Sequence, residues 1–206
     1  MLCMIKPIRQ IKKVVVIFAF LLLTITSVNA QKSNTDTLKD RDWRIEVEPS
    51  SFLLSGYGVM ISHNVTKDNR LNLGLYASSV KVPEWAKKGM FNNVPKDVNV
   101  KLGFELAAVA RYKFKIGKKQ SNPYVGIIAG WEYFDIEKTG TTDLRISTLF
   151  ATPHIGYEIY IFKQMVYINP QIRGVFYFNP KSSLSGRAEK LKPIFVLPII
   201  SAGIRL

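Results

Sequence analysis

Between residues 43 and 206, apolar and polar side chains alternate almost one for one. This is the period of a β-strand, whose successive side chains point to opposite faces. The longest example covers 98–116. Val98, Val100, Leu102, Phe104, Leu106, Ala108, Ala110, Tyr112, Phe114 and Ile116 form one set, while Asn99, Lys101, Gly103, Glu105, Arg111, Lys113 and Lys115 fall in the other. A helix would scatter these residues around its axis, whereas a strand separates them. The same period recurs over 43–48, 57–62, 71–78, 124–133, 149–161, 166–178 and 194–206, which makes eight predicted strands.

The predicted connections, 49–51, 66–70, 83–97, 117–123, 137–145, 163–165 and 179–192, alternate short and long after a brief first one. Short turns on one side and long loops on the other, joining strands of alternating polarity, predict an all-β fold: an eight-stranded antiparallel up-and-down transmembrane β-barrel spanning residues 43–206. Both chain ends fall on the short-turn side, the periplasmic side of such barrels. Soluble barrels also alternate, but with the apolar face inside. Here one face is nearly all apolar, and the other carries Arg44, Glu46, Glu48, Lys101, Glu105, Arg111, Lys113, Glu132, Glu158, Arg173 and Arg205, with His154 among them. Charges of both signs can be enclosed if they pair, and the apolar face is then free for lipid. The expected interior is polar and largely plugged. Its candidate network is Arg44, Glu46, Lys101, Glu105, Arg111, Glu132, His154, Glu158, Arg173 and Arg205. Pro153, Pro170 and Pro198 fall inside predicted strands, where each removes a ladder donor, so they mark either bulges or misplaced boundaries.

The first 30 residues read as a cleaved signal peptide. Lys6, Arg9, Lys12 and Lys13 precede an apolar stretch over 14–23, and Val28, Asn29 and Ala30 fit a small-residue cleavage site. Ten apolar residues fall short of the roughly 20 that a spanning helix needs. Residues 31–42 are polar and read as a flexible N-terminal tail.

With this pattern the chain resembles the small eight-stranded outer-membrane β-barrel proteins of Gram-negative bacteria, the OmpA/OmpX-like group. The resemblance rests on the alternation across 43–206 and on the final strand, Ser201-Ala202-Gly203-Ile204-Arg205-Leu206. In that group the last residue is usually aromatic, with a glycine five positions earlier. Here Leu206 and Ser201 stand in those places. The resemblance implies outer-membrane localisation, contact with outer-membrane lipid and lipopolysaccharide, recognition by the barrel-assembly machinery, and a monomer. The chain stops at the last strand, so the peptidoglycan-gripping domain of some relatives is not expected.

Composition narrows the chemistry. The 206 residues carry 29 Lys and Arg against 15 Asp and Glu, a formal charge of +14. Export makes nucleic acid an unsuitable partner for that charge. A single Cys and two His leave no Cys or His metal cluster, and no phosphate-binding glycine loop is present, so no cofactor is expected. No catalytic residue is assigned. His154 and Glu158 are four positions apart on one face, about 13 Å along a strand, too far to form a dyad. The loops offer candidate binding residues instead: Trp85, Lys87, Lys88 and Phe91 in one, Lys190 and Lys192 in another. These could meet lipopolysaccharide, or the aromatics could tuck over the barrel mouth. The main expectation is a structural or surface-interaction role. A lipid A-modifying enzyme, either deacylase or acyltransferase, and a soluble periplasmic lipid-binding barrel are the alternatives.

Overall fold

A computed structural model describes residues 43–92, 98–114, 122–137, 144–162, 165–182 and 190–206. The signal peptide and the N-terminal tail expected from the sequence lie outside these residues. The described chain forms β1 (Trp43–Val47), α1 (Pro49–Leu53), β2 (Tyr57–Asn64), β3 (Leu71–Lys81), α2 (Glu84–Met90), β4 (Phe91–Asn92), β5 (Asn99–Lys113), β6 (Asn122–Glu137), β7 (Leu144–Phe162), β8 (Val166–Ser182), β9 (Lys190–Leu191) and β10 (Ile194–Arg205). Eight of the strands close into an antiparallel barrel in the order β1-β10-β8-β7-β6-β5-β3-β2, and β4 pairs with β9 separately. Closure through β1 and β10 pairs Arg44 with Arg205 and Val47 with Ala202. It leaves no free sheet edge along the length of β1, which matters wherever water cannot satisfy the backbone.

The turn end carries both barrel termini, the 65–70 turn and the passage from β7 to β8, while α1, α2, β4 and β9 sit at the opposite, loop end. In the 65–70 turn the Thr66 hydroxyl accepts from the amides of Arg70 and Leu71, each at 3.1 Å. Asn69 adopts a left-handed backbone there, with φ 58°, which Asn tolerates better than most residues. The barrel is uneven in height. β7 has 19 residues and β1 only 5, about 63 Å against about 17 Å of strand at ~3.3 Å per residue.

Along the turn-end halves of β5, β6, β7 and β8, the polar set faces in and the apolar set faces out. Leu75 is 63% exposed and Ile155 58%, whereas Arg44 is 2% exposed and Glu158 0%. Aromatics gather on the outside near both ends. Trp43 packs edge-on to His63 at 4.8 Å and Tyr112 to Phe114 at 5.4 Å towards the turn end, and Trp131 lies 5.5 Å from Tyr133 towards the loop end. Also at the turn end, Arg70 donates to the Tyr112 hydroxyl at 3.4 Å and pairs with Asp68 at 2.9 Å, contacts that raise its pKa.

One residue inverts the pattern in β5. Leu102 lies opposite Phe134 and Phe104 opposite Tyr133, so β5 holds one residue more than β6 there. The β3 ladder shifts at the same place, from Ser78↔Glu105 to Val80↔Leu102. The extra residue is Gly103. A Cβ on Gly103 would sit 2.0 Å from Cε2 of Tyr133, so only glycine lets the ring lie there. An extra residue in a period of two reverses every side chain beyond it. Val98, Val100 and Leu102 therefore point inward and are buried, and Lys101 points outward and is exposed. This corrects two expectations: Lys101 is not part of the interior network, and Val98, Val100 and Leu102 do not face out.

The three strand prolines mark neither bulges nor wrong boundaries. The β7–β8 ladder skips Thr152 and Pro153, then Tyr157 and Glu158 opposite Asn169 and Pro170, and resumes each time in the same register. The missing donors of Pro153 and Pro170 thus cost rungs on a single seam. Pro198 loses nothing. The Arg205 amide donates to Met165, on the β8 side, and that of Leu206 to Trp43, on the β1 side. By alternation the Pro198 nitrogen faces the β1 side, where β1 pairs only with Ala202 through Arg205.

Candidate functional site in the barrel interior

The interior has two layers. The turn-end layer is ionic and organised around Glu158, Glu46 and Glu48. Arg44 donates to Glu158 at 2.7 Å, Lys113 pairs with Glu158 at 3.1 Å, and the Tyr160 hydroxyl donates to it at 2.8 Å. Glu46 accepts from Arg111, from the Tyr167 hydroxyl at 2.9 Å, from Asn169 Nδ2 at 3.2 Å and from the Ser201 hydroxyl at 2.9 Å. Gly203 makes room for this cluster, because a Cβ there would lie 2.4 Å from Cζ of Tyr167. Glu48 sits just beyond β1. It accepts from Arg173 at 2.5 Å, and from the Tyr76 hydroxyl at 2.9 Å. Arg173 also donates to Gln171 Oε1 at 3.2 Å. Arg205 is buried in the same layer.

His154 is fully engaged. Nε2 accepts from Arg111 Nε at 3.3 Å, and Nδ1 lies 3.2 Å from the Thr152 carbonyl. These partners require the proton on Nδ1 and leave no ring nitrogen free to take a substrate proton. The ring also packs edge-on against Tyr124 at 5.6 Å.

The loop-end layer is apolar, where the sequence pattern predicts a single polar interior. Leu102, Ile128, Phe134, Ile136, Leu144, Ile146 and Phe150 converge there with Val98 and Val100. From above, α2 and the β4–β9 pair add Ala86, Phe91 and Leu191. Phe91 packs edge-on against Phe134 at 5.3 Å. Lys192 ties the lid together, its Nζ donating to the Lys88 carbonyl and its amide to that of Met90, both at 2.7 Å.

The expected loop-binding group is therefore divided. Trp85 is 61% exposed and Lys88 is exposed. Phe91 and Lys87 are turned inward, with Lys87 donating to the Val98 carbonyl at 2.7 Å and pairing with Glu84. Those two are corrected from surface contacts to lid residues. The backbone of Lys190 pairs with Asn92.

Where the layers meet, Glu105 and Glu132 lie directly opposite each other across the β5–β6 ladder. Glu105 accepts from the Ser78 hydroxyl at 2.5 Å. Glu132 is buried, and its Oε1 has no hydrogen-bond partner among the described residues. Both border a cavity of about 180 Å³, whose walls include Leu102, Phe134, Phe150 and Leu197. Sequence pattern alone would have reached Lys113, Glu48 and the tyrosines Tyr124, Tyr160 and Tyr167, since all but Glu48 share a strand face with residues already singled out, and Glu48 continues the alternation of β1. The apolar layer carries no such signal.

No protein-family model matches the chain, and no curated protein matches it. Among solved structures, the chain is similar to the N-terminal β-barrel domain of Pseudomonas aeruginosa OprF. The identity is 16%, over 81% of this chain and 98% of that one, with a TM-score of 0.50. Neisserial surface protein A (NspA) matches at 15% identity over 80% of this chain and 92% of that one, with a TM-score of 0.49. The OprF likeness is one of fold, and it agrees with the topology: a closed, all-antiparallel, eight-stranded β-barrel of the small outer-membrane type.

Proposed function

We propose that this chain is an outer-membrane barrel with a structural or surface-interaction role and no catalysis of its own. The observation that carries this reading is the inversion of a soluble protein's polarity. Arg44, Arg111 and Glu158 are enclosed and paired, while Leu75, Ile155, Val196 and Ile200 are exposed. A soluble monomer rarely exposes so continuous an apolar girdle, and a soluble lipid carrier would enclose it. The termini then lie in the periplasm, and α1, α2 and the β4–β9 pair face the outside. Lipopolysaccharide and outer-membrane lipid are the surrounding partners, the barrel-assembly machinery inserts the chain, and the folded barrel is a monomer. Among the described candidate loop residues, Trp85 and Lys88 are exposed and available for contact.

The engagement of both His154 nitrogens argues against the lipid A-modifying alternative. Membrane fractionation tests the proposal, together with nitroxide labels at Ile155 and Glu158. The chain is expected to resist salt extraction and to show heat-modifiable gel migration. The Ile155 label is expected to relax with dissolved oxygen, and the Glu158 label to be shielded from it. Release by salt alone, or the reverse accessibility, would overturn the reading. Unchanged lipid A in a deletion strain is expected, and an altered acylation pattern would restore the enzyme.

A further inference from the structure

The barrel wall is incomplete at the loop end. β10 pairs with β8 from Ile194 to Ile204, but β1 covers only Ala202 to Arg205 on its other edge. Beyond Ala202 that edge has no strand partner among the described residues, and α1 and α2 lie against it instead. Phe195, Leu197 and Ile199 face in but are only half-buried, whereas Ser201 and Arg205 on the same face are buried. Pro198 keeps this edge from gaining a backbone donor. The half-buried residues border the cavity described above, whose lining also includes Leu54, just past α1, and Trp85 and Met90 of α2. At 180 Å³ it has room for about six waters at roughly 30 Å³ each, or for a short alkyl chain. Its walls are mostly apolar. At its floor, Glu132 presents a buried carboxyl oxygen that accepts no hydrogen bond among the described residues. An orphan buried acceptor at the end of an apolar pocket calls for a donor from a ligand.

We propose that this cavity binds a linear alkyl chain capped by a hydrogen-bond donor, an alcohol or an amine, with the head on Glu132 and the tail leaving between β10 and α1. The apolar walls take the methylene groups. The carboxyl of Glu132 accepts from an O–H or N–H, and an amine would carry a charge complementary to Glu105 and Glu132 together. A fatty-acid head is disfavoured, since Glu105 and Glu132 would face it and Arg173, the cation among the lining residues, is already paired with Glu48. The slot opens onto the lipid only if the membrane placement proposed above holds. Binding itself depends on the folded barrel alone, so the two readings can fail separately.

The three tryptophans are Trp43, Trp85 and Trp131. Trp43→Phe with Trp131→Phe leaves Trp85, in the cavity lining, as the sole reporter. In phosphatidylcholine nanodiscs, 6-bromohexan-1-ol is expected to quench Trp85 saturably. Octan-1-ol or octylamine is expected to displace it about tenfold better than octane or octanoate, the scale of one buried hydrogen bond. Competition by the alcohol alone, the amine alone or both supports the proposal and identifies the head group. Glu132→Leu is expected to erase that preference. Leu197→Phe, which narrows the slot without touching the floor, is expected to weaken every competitor while keeping the order. Linear, unsaturable quenching would overturn the proposal, as would equal displacement by octanoate. So would a preference for alcohol or amine that survives in Glu132→Leu. If Glu132→Leu does not fold, an unchanged affinity in Leu197→Phe overturns it.

Discussion

Replacing Glu46 by leucine tests whether the interior is held by paired charges or merely filled by them. The side chains are similar in size, so packing changes little. Glu46→Leu strands Arg111, buried to 2% exposure, together with the donors of Tyr167, Asn169 and Ser201. Breaking a buried ion pair from one side costs about 3–5 kcal/mol. Each neutral donor left unsatisfied adds about 1 kcal/mol when the surroundings relax. The sum is about 6–8 kcal/mol, an upper figure because members of one network do not add. Removing both ends with Glu46→Leu and Arg111→Met leaves no stranded charge and is expected to cost far less than the two single changes combined. The coupling energy from the double-mutant cycle should be at least about 2 kcal/mol. Urea unfolding of the refolded barrel in phospholipid vesicles, followed by tryptophan fluorescence, measures all four states. If Glu46→Leu stays within about 0.5 kcal/mol of the parent, or the two changes simply add, the interior pairs do not hold the barrel together.

Deleting Gly103 is expected to remove the extra residue, keep Leu102 opposite Phe134 with Lys101 still outward, and preserve heat-modifiable folding; loss of folding on deletion would count against the bulge. In the intact chain, cysteine at Lys101 is expected to react with a membrane-impermeant maleimide and cysteine at Leu102 to be protected, with reversed labelling counting against the inversion. Phe91→Ala is expected to destabilise by about 3–5 kcal/mol through loss of its packing on Phe134, whereas Trp85→Ala should stay within about 0.5 kcal/mol in the same urea assay. Pro198→Ala is expected to leave the unfolding midpoint unchanged, because the donor it supplies faces an edge without a strand; a clear gain in stability would place a partner there.

The alternation that puts Tyr124, His154, Glu158 and Arg173 inside and Val125, Ile155, Ile159 and Ile172 outside is written in the sequence at a period of two. Strand geometry converts that period directly into two faces. It is enough for the number of strands, their antiparallel order and the side on which most charges fall. It is not enough for Lys101. The inversion at Gly103 depends on which residues β3 and β6 set against it, and a glycine in a strand looks the same before pairing whether or not it bulges. The prolines are a similar case. What a missing donor costs depends on the neighbour it faces, and only the register shows that Pro153 and Pro170 share one seam while Pro198 faces a gap. Loop residues carry no period at all, so nothing local distinguishes Phe91 and Lys87, which fold into the mouth, from Trp85 and Lys88, which stay outside. Those positions were settled by the apolar layer below them, a surface assembled from β5, β6, β7 and β8 that exists only once the barrel has closed.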